Sequence, residues 1–135
     1  MNLNGTVTLW PNDASRKIDV KLDFRCICTT DNVIYLFICK LCPHNNSFYV
    51  GQTINPCRAR ANGHRAKFNV DDYQKSALSY HIHKDHPEHV QYKLKNFSSG
   101  VIKSTSPMNL DCLEDFYVDL TKAELSLNRY KVTVR

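Results

Sequence analysis

The sequence predicts an α+β fold: a small three-stranded antiparallel sheet flanked by helices, with a β extension at the N-terminus. Three observations predict it. Short segments that alternate with period two or are wholly apolar recur at 6–10, 18–24, 33–38, 48–50 and 89–97. Helix starts or helical stripes occur at 56–68, 74–86 and 109–123. The length of 135 residues is one domain's worth of chain, enough to bury a core without staples.

Thr6 to Trp10 and Ile18 to Phe24 both alternate, and Pro11-Asn12-Asp13 separates them, which predicts a hairpin or a pair of edge strands. Val33 to Ile38 is a β-rich apolar run and should be the central strand. Pro43 to Ser47 is turn chemistry, so Phe48-Tyr-Val50, ended by Gly51, would pair back antiparallel. Pro56 suits a first helical position with Asn55 as cap, giving a helix through Phe68. The next helical stretch has Ser76 as cap and Pro87 as stop. His89 to Phe97 alternates at Val90, Tyr92 and Leu94, which predicts the third strand. Ser98-Ser-Gly100 and Ser104-Thr-Ser-Pro107 read as loops. Leu110, Leu113, Phe116, Tyr117 and Leu120 form the apolar stripe of a helix that Asn109 can cap. The tail from Arg129 to Arg135 adds a short strand.

The net charge of +5 leans toward an anionic partner without naming one. No apolar run approaches the roughly 20 residues of a membrane helix. Met1 to Trp10 has neither a basic start nor a long apolar stretch, so an intracellular, non-membrane protein is expected, nuclear if the source is eukaryotic. The charge is unevenly placed. Arg58, Arg60, Arg65 and Lys67 stand between Gln52 and Val70 without a carboxylate, which suits a phosphate backbone, although a solvated face is the commoner fate of such runs. Arg60 and His64 are four apart and share a helix face. The 109–123 helix is acidic instead. Glu114 borders its apolar stripe and can point into a cleft, whereas Asp111, Asp115 and Asp119 should face solvent. One carboxylate, an arginine and two tyrosines are a sparse but usable phosphodiesterase set.

Six cysteines and six histidines are many for this length. Without a secretion signal they read as metal ligands more readily than as disulfides. Cys39 and Cys42 have the two-residue spacing of a zinc knuckle, and His81 and His86 fall within finger spacing. These four are the preferred set, with His44 a rival ligand. The gap from Cys42 to His81 would make the site a clamp between distant segments. Spacing alone leaves a metal-free thiol turn and a wet, His-rich helix end as the alternative. Cys57 and Cys112 are expected to be buried core residues. His83 and His89 are expected to face solvent or a phosphate.

A family resemblance rests on these residues in order. Val33-Ile34-Tyr35 and Tyr49-Val50-Gly51 resemble the two naming motifs of the GIY-YIG nucleases. Arg60 with His64 resembles that family's Arg-x3-(Tyr/His), Glu114 its metal-binding glutamate, and Ser126-Leu127-Asn128 its Gly-Leu-Asn. Val33 and Ser126 stand where the motifs have Gly. The cysteine pair between the tyrosine motifs, with the later His-x4-His, is similar to the zinc-containing endonuclease domain of Penelope-like retroelements. The resemblance covers 32–128 and implies a nuclease domain over 32–135 behind an extension over 1–31. It implies Mg²⁺-dependent hydrolysis of DNA. Mg²⁺ would sit on Glu114, Arg60 would hold the phosphate, and Tyr35 would be the base, its pKa lowered by Arg60 and His64. Tyr49 would position the reactants, and Asn128 would belong to the same constellation. Gly51, Arg58, Arg65 and Lys67 would line the DNA. Cys39, Cys42, His81 and His86 would hold a structural Zn²⁺. Double-strand cutting would call for a homodimer, and related longer proteins would carry a reverse transcriptase domain.

Overall fold

A computed structural model describes residues 3–11, 17–23, 25–27, 29–69 and 71–130. The fold is α+β. Strand β1 (Thr6–Leu9) pairs antiparallel with β2 (Ile18–Lys21), as the alternation predicts. Asn12, Asp13, Phe24 and residues 131–135 of the tail strand expected over 129–135 lie outside the described residues, and Arg129 ends a 3₁₀ turn (Leu127–Arg129) instead of opening that strand. The second sheet contains β3 (Val33–Cys39), β4 (Phe48–Thr53) and β5 (Phe97–Ser104) in the order β4-β3-β5, with both pairings antiparallel. Helices α1 (Cys57–Ala66) and α2 (Ala77–Asp85) lie between β4 and β5 in sequence, and α3 (Leu110–Thr121) follows β5.

Every residue of β3 is buried, so both faces of the sheet carry a core. The strand's period of two divides them. Tyr35, Phe37 and Cys39 face a cluster with Tyr49, Phe97, Leu78 and Ile82. Ile34, Leu36 and Ile38 face the other side, against Phe48, Val50 and Leu110, and against Leu9, Val20 and Leu22 of the N-terminal extension. The extension also bonds to β5 through its backbone, Leu3 N–H to Ser99 O at 2.8 Å and Asp23 N–H to Val101 O at 2.9 Å. It therefore shares the core of the rest of the chain.

The third strand is not where the alternation puts it. Residues Pro87–Asn96 form a 3₁₀ segment, and the strand is Phe97–Ser104. Val90 and Leu94 are four apart and pack together on the core, while Tyr92 between them is exposed. The segment is broken at Lys93, which has φ 50° and ψ −127°, so it forms two 3₁₀ turns and not a strand. The Asn96 side chain donates to His89 O and Lys93 O, both at 2.9 Å, and holds the curl. Ser98-Ser-Gly100, expected as a loop, is inside β5. Its small residues leave room for the extension: a Cβ on Gly100 would lie 3.0 Å from Leu3 Cβ and Leu22 Cδ1.

Several local expectations are also corrected. Helix α1 starts at Cys57 and ends at Ala66, with Pro56 rather than Asn55 at its N-cap. Asn109 makes no side-chain cap, because a 3₁₀ turn over Pro107–Asn109 already leads into α3. Cys112 is exposed, whereas Cys57 is buried as expected. His83 stacks on Tyr73 with ring centroids 4.4 Å apart instead of facing solvent. Ser76 does cap α2, accepting from Leu78 N–H.

Strand β4 is an edge strand of its sheet, and the chain's last described turn closes that edge. Asn128 Oδ1 accepts from Val50 N–H and Asn128 Nδ2 donates to Val50 O, both at 2.8 Å. Ser126 Oγ accepts from Phe48 N–H at 2.8 Å and donates to Asn46 O at 2.9 Å. The amide of Asn128 thus replaces a neighbouring strand. Asn128→Ala leaves two buried backbone groups unpaired, and we expect a loss of about 2–4 kcal/mol in urea unfolding, read as a lower midpoint at constant slope.

Candidate functional site

Two clusters of chemistry lie on the sheet face that α1 and α2 cover. The first joins the end of β3 to α2. Cys39 is the last residue of β3, and the turn after it brings Cys42 alongside. His81 lies on the buried face of α2, and His86 is the residue that ends it. The ligand atoms of Cys39, Cys42, His81 and His86 all lie within 4.8 Å of one another. Cys42 Sγ is 3.4 Å from His81 Nε2 and 3.3 Å from His86 Nε2. Tetrahedral zinc with sulfur and nitrogen ligands has edges of about 3.3–3.8 Å, so the donor set and the two Cys42–histidine spacings fit such an ion. A positive-φ turn carries His44 away from this set, and the four residues of the cluster do not include it.

On a continuous helix His81 and His86 would stand about a third of a turn out of line. The chain solves this by leaving the helix: His86 has φ −138° and ψ 55°, outside helical values. Asp85 Oδ2 lies 3.0 Å from His81 Nδ1 without hydrogen-bond alignment, near the place of the outer carboxylate that accompanies many metal-binding imidazoles. The Cys39 thiol hydrogen-bonds to Cys42 and pushes the Cys42 thiol well down, with the two histidines adding to the shift. A thiolate in that position is the form that binds metal.

The second cluster surrounds Tyr35. Tyr35 Oη is 3.0 Å from His64 Nε2 and accepts from Arg60 Nε at 3.2 Å. His64 Nδ1 is 2.8 Å from Ser76 Oγ. The one-turn spacing of Arg60 and His64 on α1 brings both to the same phenol. Tyr49 lies beside them, its ring centroid 6.3 Å from Tyr35 and 5.9 Å from His64. Glu114 is buried, and among the described residues it is the one buried carboxylate. Its charge acts on both Tyr35 and Arg60.

A groove of about 170 Å³ opens in front of Tyr35, bounded by Phe37, Ser99 and Gly100 of the sheet and by Arg58, Arg60 and Arg65 of α1. Its polar wall carries three guanidiniums and no carboxylate. Lys67 does not line the groove; it is the C-cap residue of α1. Gly51 is buried opposite Tyr35 in the β3–β4 register. A Cβ there would run into the Tyr35 ring and hydroxyl, so this glycine is the floor on which the phenol rests. Gly51→Ala displaces Tyr35 and should destabilise the fold by about 1–3 kcal/mol, the usual cost of overpacking. Thermal unfolding together with Tyr35 ring resonances checks this. Asn128, engaged on Val50 through both ends of its amide, belongs to the scaffold.

The electrostatics correct one expectation. Burial pushes the Tyr35 phenol above its ordinary range, Tyr49 adds to the rise, and the Arg60 guanidinium offsets only part of it. His64 does not supply a cation. Burial, with help from the Arg60 charge, holds its imidazole down at about 3, so it is neutral near physiological pH.

No family model, no curated protein and no solved structure matches the chain. Among the described residues no helix is long and apolar enough to cross a membrane. Sequence reasoning missed the structural roles of three residues. Asp85 was detectable as a carboxylate four residues after His81 on one helix. Ser76 was identified as a cap, but its bond to His64 depends on tertiary packing. Ser126 gave no local signal for its role at the edge of β4.

Proposed function

We propose that the chain is a Mg²⁺-dependent DNA endonuclease of the GIY-YIG type, hydrolysing phosphodiester bonds, with a structural zinc at the Cys2His2 cluster. The observation that carries this reading is the Tyr35–Arg60–His64 hydrogen-bonded set at a groove walled by arginines. Such a wall attracts a phosphodiester backbone. The buried Glu114 has the oxygen chemistry that Mg²⁺ takes, and such sites commonly use one or two protein carboxylates. Bound there, Mg²⁺ would supply charge neutralisation at the leaving oxygen.

The chain's own groups do the rest. Arg60 holds the scissile phosphate and donates to Tyr35. Tyr35 orients the attacking water and, as a phenolate that has first released its own proton to solvent in the groove, takes the proton of that water; Mg²⁺ held by Glu114 would help to lower the phenol's pKa. Tyr49 packs the two rings in place. Arg58 and Arg65 hold flanking phosphates. The four protein ligands of the zinc leave no open position, so that ion fastens β3 to α2 and takes no part in the chemistry.

The upward shift of the Tyr35 phenol favours a second reading, a zinc-containing DNA-binding module without catalysis. Single-turnover reactions on an end-labelled duplex, run beside mobility-shift titrations at rising salt, separate the two. The nuclease reading expects cleavage products with Mg²⁺. Salt-sensitive binding with an intact duplex at every divalent ion tested would leave only the second.

A further inference from the structure

His64 lies between two hydroxyl groups. Its Nε2 is 3.0 Å from Tyr35 Oη and its Nδ1 is 2.8 Å from Ser76 Oγ. A neutral imidazole carries one proton, so one of these contacts donates and the other accepts. Ser76 decides which. Its Oγ accepts the Leu78 N–H at 3.3 Å as the cap of α2. The side chain is buried, and among the described residues the acceptor for its own hydroxyl proton is His64 Nδ1. A buried hydroxyl takes an available acceptor rather than leave its proton unpaired. The Ser76 O–H therefore points at Nδ1, and the His64 proton is on Nε2, directed at Tyr35. Arg60 Nε donates to the same phenol oxygen at 3.2 Å. Both acceptor positions of that oxygen are then filled, and the Tyr35 proton is directed away from His64, into the groove that Tyr35 lines and Ser76 does not.

We propose that Ser76 is a positioning residue: it holds His64 as the Nε2–H tautomer, so that His64 and Arg60 both donate to the Tyr35 oxygen and favour its phenolate. The functional part rests on the reading of Tyr35 as the phenol that takes the proton of water. It makes His64 a fixed donor and not the acceptor of the Tyr35 proton. It also gives the N-terminus of α2 a role in the chemistry, because the cap that starts the helix sets the polarity of the chain Ser76–His64–Tyr35.

The test is nitrogen NMR of the full chain labelled at histidine, with His64 assigned by its absence in His64→Gln. The expected wild-type spectrum shows His64 Nε2 protonated and Nδ1 in the range of an unprotonated ring nitrogen. Ser76→Thr keeps both the cap and the hydroxyl and should keep this pattern and the nicking rate. Ser76→Ala removes the donor. His64 should then show a mixed tautomer, and nicking should fall on the order of tenfold to a hundredfold, the usual effect of losing an outer orienting partner. A wild-type His64 protonated on Nδ1 would overturn the proposal. So would a Ser76→Ala protein that keeps the pure Nε2–H form. Should Ser76→Ala fail to fold, the wild-type and Ser76→Thr spectra still decide. A wild-type chain with the expected tautomer and no nicking would refute the nuclease reading while upholding the assignment of Ser76 to His64.

Discussion

On the proposed reading of the Cys2His2 cluster as a structural zinc site, chelation, or replacing Cys39 with Ser, is expected to cost several kcal/mol of folding stability. Structural zinc contributes about 10–16 kcal/mol in isolated fingers, where nothing else holds the fold. Here both faces of the sheet carry apolar cores, so the loss should be smaller than that, yet large against the roughly 5–15 kcal/mol of a whole domain. The cluster ties the end of β3 to α2, segments separated by 38 intervening residues between Cys42 and His81. Releasing that tie frees α2, and with it Ser76 and the partner of His64. A chelation series followed by thermal unfolding reads the effect, and metal analysis should give about one ion per chain. The four ligands act as a unit, so their losses should not add. His86→Ala should be costly in the wild type and nearly silent after Cys39→Ser. Additive losses at the two positions would mean that they stabilise separately, without a shared ion.

Glu114→Gln and Arg60→Ala are each expected to lower Mg²⁺-dependent nicking on the order of 10²–10³-fold, the range seen when one stabilising group for a developing charge is removed. Glu114→Gln is the sharper of the two. It keeps the volume of a buried side chain on α3, removes the charge and turns one acceptor oxygen into an amide donor. Its melting temperature should stay close to the wild-type value, so a fall in rate would not reflect unfolding. DNA binding should survive Glu114→Gln and weaken in Arg60→Ala, because Arg60 belongs to the arginine wall of the groove. Equal nicking by wild type and Glu114→Gln would remove Glu114 from the reaction.

The central strand, its antiparallel partner and α3 were legible because their patterns are local. An apolar run over 33–38, a turn at 43–47 and a helical stripe over 110–120 each point one way, although Phe116 and Leu120 of that stripe are exposed. The four residues of the metal cluster were legible from spacing and resemblance, since chemistry restricts which residue types serve as ligands. The third strand was not. Val90, Tyr92 and Leu94 satisfy a period of two, but the segment curls into 3₁₀ turns kinked at Lys93, which set Val90 and Leu94 on the core and leave Tyr92 exposed. Ser98-Ser-Gly100 reads as a loop because its residues are small, whereas Gly100 is small because Leu3 and Leu22 approach it from the N-terminal extension. The same limit applies to the site. Sequence could place Arg60 and His64 on one face, but burial decides the charge of His64, and burial is a property of the assembled fold.

Conversion of supercoiled plasmid to nicked circle by the purified full chain, with Mg²⁺ and with EDTA, tests the nuclease reading most directly. The predicted result is nicking with Mg²⁺ that stops with EDTA and falls away in Glu114→Gln. Folded, zinc-loaded protein that binds the plasmid and leaves it supercoiled with every divalent ion would contradict it.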